Sequence, residues 1–204
     1  MAWNTERTKQ LLLDAGVAEF SARGLAGARV DRIASSAGVN KERIYQYFGN
    51  KEQFFGEVLT RELGIAIDAV PITGTGIDAV IDYAGRVFDY QCAHPELARL
   101  TFWEGLEFGA PVAEEPRRAR TANKVDLILA ALPHLSHEQA EELLLTILTL
   151  VDGSQALPNL NTLYTGGSVH AAPALLARRR ATITTVVRAW GQSTVGTTSK
   201  PSSS

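Results

Sequence analysis

The sequence predicts an all-α fold, a three-helix head on a larger helical body with about nine helices in total. Three observations predict it. Apolar residues recur three and four apart through nearly every segment, and no stretch alternates apolar with polar as a half-buried strand would. Gly24, Gly38, His94-Pro95 and Pro133 cut the chain into runs of helical length. Asn50 with Gln53, and Ser136 with Gln139, have the spacing of capping boxes, in which the first residue's side chain and the third's bond each other's backbone N–H. No internal repeat is present.

Residues 1–4 are expected to be loose. The first helix is expected over Thr5 to Ser21, with Leu13, Gly16, Val17 and Phe20 on one face and Lys9, Asp14 and Glu19 on the other; Arg23-Gly24 ends it. The second opens near Gly27-Ala28 with a poor cap and aligns Val30, Ile33, Ala34 and Ala37 in one stripe. Gly38 stands where a helix closes on a left-handed residue, a conformation glycine adopts without a Cβ clash. Asn40 offers an oxygen to cap the third helix, Lys41 to about Phe48, which can bury Ile44 and Phe48 behind Val39. Its other side carries Lys41, Arg43, Tyr45, Gln46 and Tyr47. Two short helices around a glycine turn form a helix-turn-helix, whose second helix enters the major groove of DNA.

A fourth helix follows from Lys51 to about Ala69, and the breaker-rich Pro71 to Gly76 is a hinge. The body continues with Ile77 to about Ala93 and Pro95 to Phe108, the latter with proline in its first turn. Pro111 to Pro116 reads as a charged loop, then a helix from about Arg117 to Leu132. His137 to about Ala156 carries Leu143, Leu144, Ile147, Leu148 and Val151. Leu157 to Ser168 reads as a loop with room for one short turn, and Pro173 to about Trp190 as the last helix. The Ser/Thr/Gly-rich residues 192–204 are expected to be disordered. The domain reading is a DNA-binding head at 5–50, a linking helix at 51–70, a ligand-binding and dimerisation domain at 71–191, and that tail.

The head also carries a resemblance. Phe20, Gly24, Val30, Ile33-Ala34, the Ala37-Gly38-Val39 turn, Tyr45, Phe48 and Lys51-Glu52 make residues 8–62 similar to the DNA-binding domain of the tetracycline-repressor (TetR) family of bacterial regulators. The resemblance implies a head of three to four helices and a dimerising effector-binding body of five or six. It implies that Tyr45, Tyr47 and Lys51 bond phosphates, while Lys41 and Arg43 read bases, Arg on guanine being the commonest specific contact. Gln46 shares that face, and Arg29 stands near a position where the family often has a phosphate-touching hydroxyl. Tyr47 replaces a frequent histidine. Glu42 stands where the family often has glycine, and either reads a cytosine amino group or tilts the helix.

The resemblance further implies a homodimer through the 137–156 and 173–190 helices, with Arg178-Arg179-Arg180 near that interface or simply on a solvated face. Such a dimer reads a pseudo-palindromic operator. For a small-molecule effector, Phe88, Tyr90, Gln91, Phe102, Trp103, Glu104 and Phe108 crowd two adjoining helices with aromatic and polar groups. Asp152, Ser154 and Gln155 end an apolar helix and could face the same site. A packed core and a solvent-exposed helix end remain the alternatives for these two groups.

Composition agrees with a regulator. Residues 1–51 hold eight Lys/Arg against five Asp/Glu, whereas the remainder holds twelve against seventeen, a basic head on an acidic body. A net charge of −2 argues against a protein that coats nucleic acid. Cys92 is the sole cysteine, so there is no internal disulfide; with a polar N-terminus and no spanning-length apolar run, a cytoplasmic location, at the nucleoid when on its operator, is expected and no membrane contact.

Catalytic readings find little. Ser154 sits in DGSQ rather than a nucleophile elbow, Gly74-Thr75-Gly76 lacks a dinucleotide fingerprint, and His134, His137, Glu138 and Glu141 straddle a helix start. No enzyme activity, cofactor or metal is expected. The expected function is a ligand-released repressor; an activator of the same family, an all-helical enzyme and a protein-interaction module remain as alternatives.

Overall fold

The computed structural model describes residues 2–166 and 173–197. Among them are ten α-helices and no strand: α1 (Ala2–Gly27), α2 (Val30–Ala37), α3 (Glu42–Phe48), α4 (Lys51–Ala69), α5 (Gly76–Ala93), α6 (Pro95–Glu107), α7 (Glu114–Ala131), α8 (His137–Ala156), α9 (Pro158–Thr165) and α10 (Pro173–Thr197).

Four expectations need correction. Helix α1 starts at Ala2 and runs to Gly27, bending at Gly24, where φ is 66° and ψ −176°. The turn beyond the bend persists because the Glu107 carboxylate accepts the backbone N–H of Leu25 and of Ala26. The loop expected over Pro111 to Pro116 ends early, since Glu114 and Glu115 already form the acidic first turn of α7, favourable against the helix dipole. Residues 158–165 form a tenth helix: Pro158 fits its first turn, and the Asn161 amide donates to the Ser154 carbonyl at 2.7 Å, tying α9 back to α8. Residues 192–197 continue α10, and 198–204 lie outside the described residues.

The chain divides into two compact units, Met1–Ala66 with His94–Arg118, and Ile67–Ala93 with Ala119–Ser204. The first is built on an aromatic core. Phe20 meets Phe54 and Phe55 edge-on at 5.5 and 5.3 Å, Phe48 stacks on Phe54 at 4.6 Å, and Phe55 lies 5.1 Å from Phe108. Phe20, Phe54 and Phe55 are wholly buried, and each contributes roughly 1.5–3 kcal/mol by leaving water. Helix α6 belongs to this unit, held to α1 by Arg99 Nε and Trp103 Nε1, which donate to the Ser21 carbonyl at 2.9 and 3.1 Å.

The second unit packs α5, α7, α8 and α10 around Val80, Ala84, Phe88, Ile128, Leu143, Ile147, Val151, Ile183 and Val187. The capping box expected at Ser136 is formed, with Ser136 Oγ accepting from Gln139 N at 3.2 Å and Gln139 Oε1 from Ser136 N at 2.8 Å. Lys124 reaches the Val70 carbonyl at 2.7 Å and fastens α7 to the end of α4.

Candidate nucleic-acid interface and buried polar cluster

The helix-turn-helix forms as its local chemistry dictates. Gly38 takes φ 65° and ψ 31°, and its N–H and that of Val39 close on the last carbonyls of α2. Asn40 Oδ1 accepts the Glu42 N–H at 3.3 Å. Ile33, Ala34 and Ile44 are buried, which fixes the faces of both helices. Asn50 and Gln53 exchange bonds of 3.0 and 2.8 Å as the second capping box and start α4.

One support of α2 was invisible in the sequence. Arg29 gives it no side-chain cap. Instead Glu19 Oε1, from α1, accepts the Arg29 N–H at 3.0 Å and the Arg32 guanidinium, whose other nitrogen also reaches the Gly27 carbonyl at 2.8 Å. Burial acts to raise the Glu19 carboxyl, but the bonds from Arg32 and the Arg29 N–H outweigh it and hold the group below its ordinary value.

The outer face of α3 is exposed at Lys41, Glu42, Arg43, Tyr45 and Gln46. Tyr45 keeps 52% of its surface in solvent, so its hydroxyl is free to meet a partner. Arg43 donates to Gln46 Oε1 at 2.8 Å and lies 5.9 Å from the Tyr47 ring, which orients the Arg43 and Gln46 side chains. Lys41 pairs with Asp31 at 3.0 Å, and that bond raises its pKa. Arg29 is exposed at the start of α2. Lys51 is half-buried and donates to the Ala28 carbonyl at 3.3 Å, so it braces the α1–α2 corner. Lys9 was not singled out from the sequence; the fold brings its ammonium to 5.8 Å from the Tyr47 ring, and no local signal could have placed it there.

The effector candidates fall into two groups. Phe102, Trp103, Glu104 and Phe108 belong to the first unit. Trp103 is bonded to Ser21, Phe108 packs on Phe55, and Glu104 is buried, accepting from Val112 N at 2.8 Å and pairing with Arg117. Phe88, Gln91, Asp152 and Gln155 belong to the second. Phe88 is a core residue, 1% exposed.

The other three form a polar seam between α5 and α8. Gln91 Nε2 donates to Asp152 Oδ1 at 2.8 Å, and Gln155 Nε2 to Cys92 Sγ at 3.1 Å and Ser154 Oγ at 3.4 Å. Burial pushes the Asp152 carboxyl up to about 6 and raises the Cys92 thiol. Gln91 Oε1 and Gln155 Oε1 are buried and accept no hydrogen bond among the described residues. Leaving such a group unpaired costs about 1–3 kcal/mol, so the seam favours a donor.

Comparison with known proteins agrees with this geometry. Residues 12–58 match the family model of bacterial regulatory proteins of the tetR family, and residues 79–189 match the tetracyclin repressor-like C-terminal domain. The chain is 37% identical over 177 residues to the HTH-type transcriptional repressor SCO4008 of Streptomyces coelicolor, covering 81% of this chain and 88% of that one. It superposes on the crystal structure of SCO4942 from Streptomyces coelicolor with a TM-score of 0.70 at 30% identity, over 89% of this chain and 97% of the other. A crystal structure of a TetR variant from Acinetobacter baumannii in complex with minocycline shares the fold at a TM-score of 0.61 and 13% identity, over 89% and 94% of the two chains.

Proposed function

The chain belongs to the TetR family of DNA-binding transcriptional regulators, and from that premise we propose a homodimeric repressor that a small molecule releases from a pseudo-palindromic operator. The observation that carries the DNA-binding part is the exposed face of α3, where Lys41, Arg43, Tyr45 and Gln46 stand over a buried Ile44. Lys41 and Arg43 read base edges with Gln46 on the same face, and Tyr45, Tyr47 and Arg29 bond phosphates with Lys9 beside them. Lys51 positions the head through Ala28 and adds charge. Glu42 tunes sequence preference at the start of α3.

The dimer forms through α8 and α10. Leu145 on α8 and Val186 on α10 are 59% and 40% exposed, apolar surface on both helices that a second copy would cover. The effector occupies the second unit near Phe88, Gln91, Asp152 and Gln155, while Trp103 and Phe108 pack within the first unit. A ligand shifts the dimer only by its differential affinity for the DNA-binding and released forms. Helices α4 and α7 each run across a boundary between the units at Ala66 and at Arg118, so the chain itself carries the change.

The test is fluorescence anisotropy of the protein on its own promoter DNA across a salt series, beside the Tyr45→Phe/Lys51→Ala double variant. Saturable binding that weakens steeply with salt, and further in the variant, is the expected result. A folded dimer that binds neither the promoter nor genomic fragments at low salt would remove the reading.

A further inference from the structure

We propose that the effector site takes a ligand presenting hydrogen-bond donors, an amine or amidinium cation above all, seated against Gln91, Asp152 and Gln155. The inference rests on the reading of the second unit as effector-binding and adds the chemistry of what it binds.

The hydrogen-bond network fixes the polarity of the seam. An ionised carboxylate only accepts, so the Gln91 amide must turn its NH2 to Asp152, and its oxygen points elsewhere. Ser154 Oγ spends its proton on the Val151 carbonyl at 2.6 Å, so Gln155 must likewise present NH2 to Ser154 and keep its oxygen free. Both amide oxygens are thus left as buried acceptors with no donor among the described residues. Gln91 and Gln155 are 5% and 3% exposed, which puts these oxygens out of bulk water's reach. Asp152 and Gln155 stand three residues apart on one face of α8, and Gln91 neighbours Cys92 on α5, so the acceptors lie along one seam one helical turn long.

Two acceptor oxygens and a carboxylate offer a donor-rich cation three partners and a carboxylate ligand none. A cation also restores the charged form of Asp152 that burial disfavours. Val87 and Phe88 stand one turn before Gln91 on α5 and Leu148 one turn before Asp152 on α8, apolar neighbours that suit a hydrocarbon group attached to that donor.

The test uses benzamidine and benzoate, planar near-isosteres of opposite charge, with isothermal calorimetry and thermal unfolding on the full-length protein. Benzamidine is expected to bind at least tenfold more tightly than benzoate. Asp152→Asn and Gln155→Met are expected to weaken it about tenfold or more without lowering the unfolding temperature in the absence of ligand. Two variants guard against one that fails to fold. Benzoate binding as well as benzamidine, or benzamidine binding unchanged in both folded variants, overturns the proposal. So does the absence of saturable benzamidine binding. Calorimetry needs no DNA, so failure to bind promoter fragments would remove the regulator reading separately, leaving the ligand preference to stand or fall on its own.

Discussion

Glu19 and Arg32 meet across the corner between α1 and α2 at 2.7 Å, and the same carboxylate oxygen accepts the Arg29 N–H at 3.0 Å. A residue ten positions upstream thus supplies the acceptor that a cap at Arg29 cannot. Glu19→Ala should lower unfolding stability by about 1–3 kcal/mol, read as a shift of the urea midpoint at pH 7. The Glu19 pKa is depressed in the folded state, so its contribution is present above its ordinary value of 4.5 and is lost as pH falls below it. The midpoints of wild type and variant should therefore converge in acid. A gap that persists unchanged well below pH 4 would mean that the carboxylate is not its cause.

Gly24 holds φ 66° and ψ −176°, a region essentially reserved for glycine, and a Cβ there would stand 2.7 Å from the Trp103 ring. Gly24→Ala combines about 1–3 kcal/mol of backbone strain with displacement of α6 from α1. Lower thermal stability, with a changed Trp103 fluorescence spectrum, is the expected pair of readouts. An unchanged spectrum would show that the indole does not depend on this bend.

Arg43 and Lys9 should separate on DNA. Arg43→Ala should cost roughly 1–3 kcal/mol on the operator and little on unrelated sequence, because base contacts carry discrimination. Lys9→Ala should weaken all sequences equally and reduce the salt slope by about 1, the signature of one lost phosphate contact. Competition anisotropy with specific and scrambled fragments distinguishes them, and an Arg43→Ala variant that loses both equally would assign Arg43 to phosphate.

Asp152 titrates at about 6 in the folded state against an ordinary value of 3.8. The folded state therefore binds the extra proton between these values, and stability falls as pH rises through that window. Asp152→Asn should flatten that slope and raise stability at pH 7 by about 2 kcal/mol; the full shift corresponds to ~3 kcal/mol, and residual solvent contact trims it. Urea midpoints between pH 4 and 7.5 give the measurement. A slope identical in the variant would place the titrating group elsewhere.

Leu145→Asp with Val186→Asp should dissociate the dimer without unfolding the protomer, since neither side chain belongs to the buried core. Sedimentation velocity gives the mass and circular dichroism the helix content. A helical double variant that remains dimeric would move the interface away from α8 and α10.

What the sequence revealed was chemistry that acts over one helical turn. The capping boxes at Asn50–Gln53 and Ser136–Gln139 form as their three-residue spacing requires, and Gly38 closes α2 in the left-handed conformation that position demands. The apolar stripes through Ile33, Ile44 and Leu143 point inward as their period implies. The exposed face of α3 was legible for the same reason: burying Ile44 forces Arg43, Tyr45 and Gln46 outward. Extended reach was less visible, as α9 shows. Its residues carry loop-forming composition, and the bond from Asn161 back to Ser154 ties the helix to α8.

By itself, then, the sequence determined the helical class, the helix-turn-helix and the side of α3 left exposed, because backbone capping and amphipathic period are local properties. Tertiary structure alone decided which side chains meet across long separations. It paired Glu19 with Arg29 and Arg32, and set Glu107 beneath the Gly24 bend and Lys51 on Ala28. It also divided one aromatic-rich stretch between two compact units, sending Trp103 and Phe108 to the first and Phe88 to the second. An aromatic ring carries the same apolar surface whichever neighbour it packs against, so its composition names no partner; that choice belongs to the three-dimensional path of the chain.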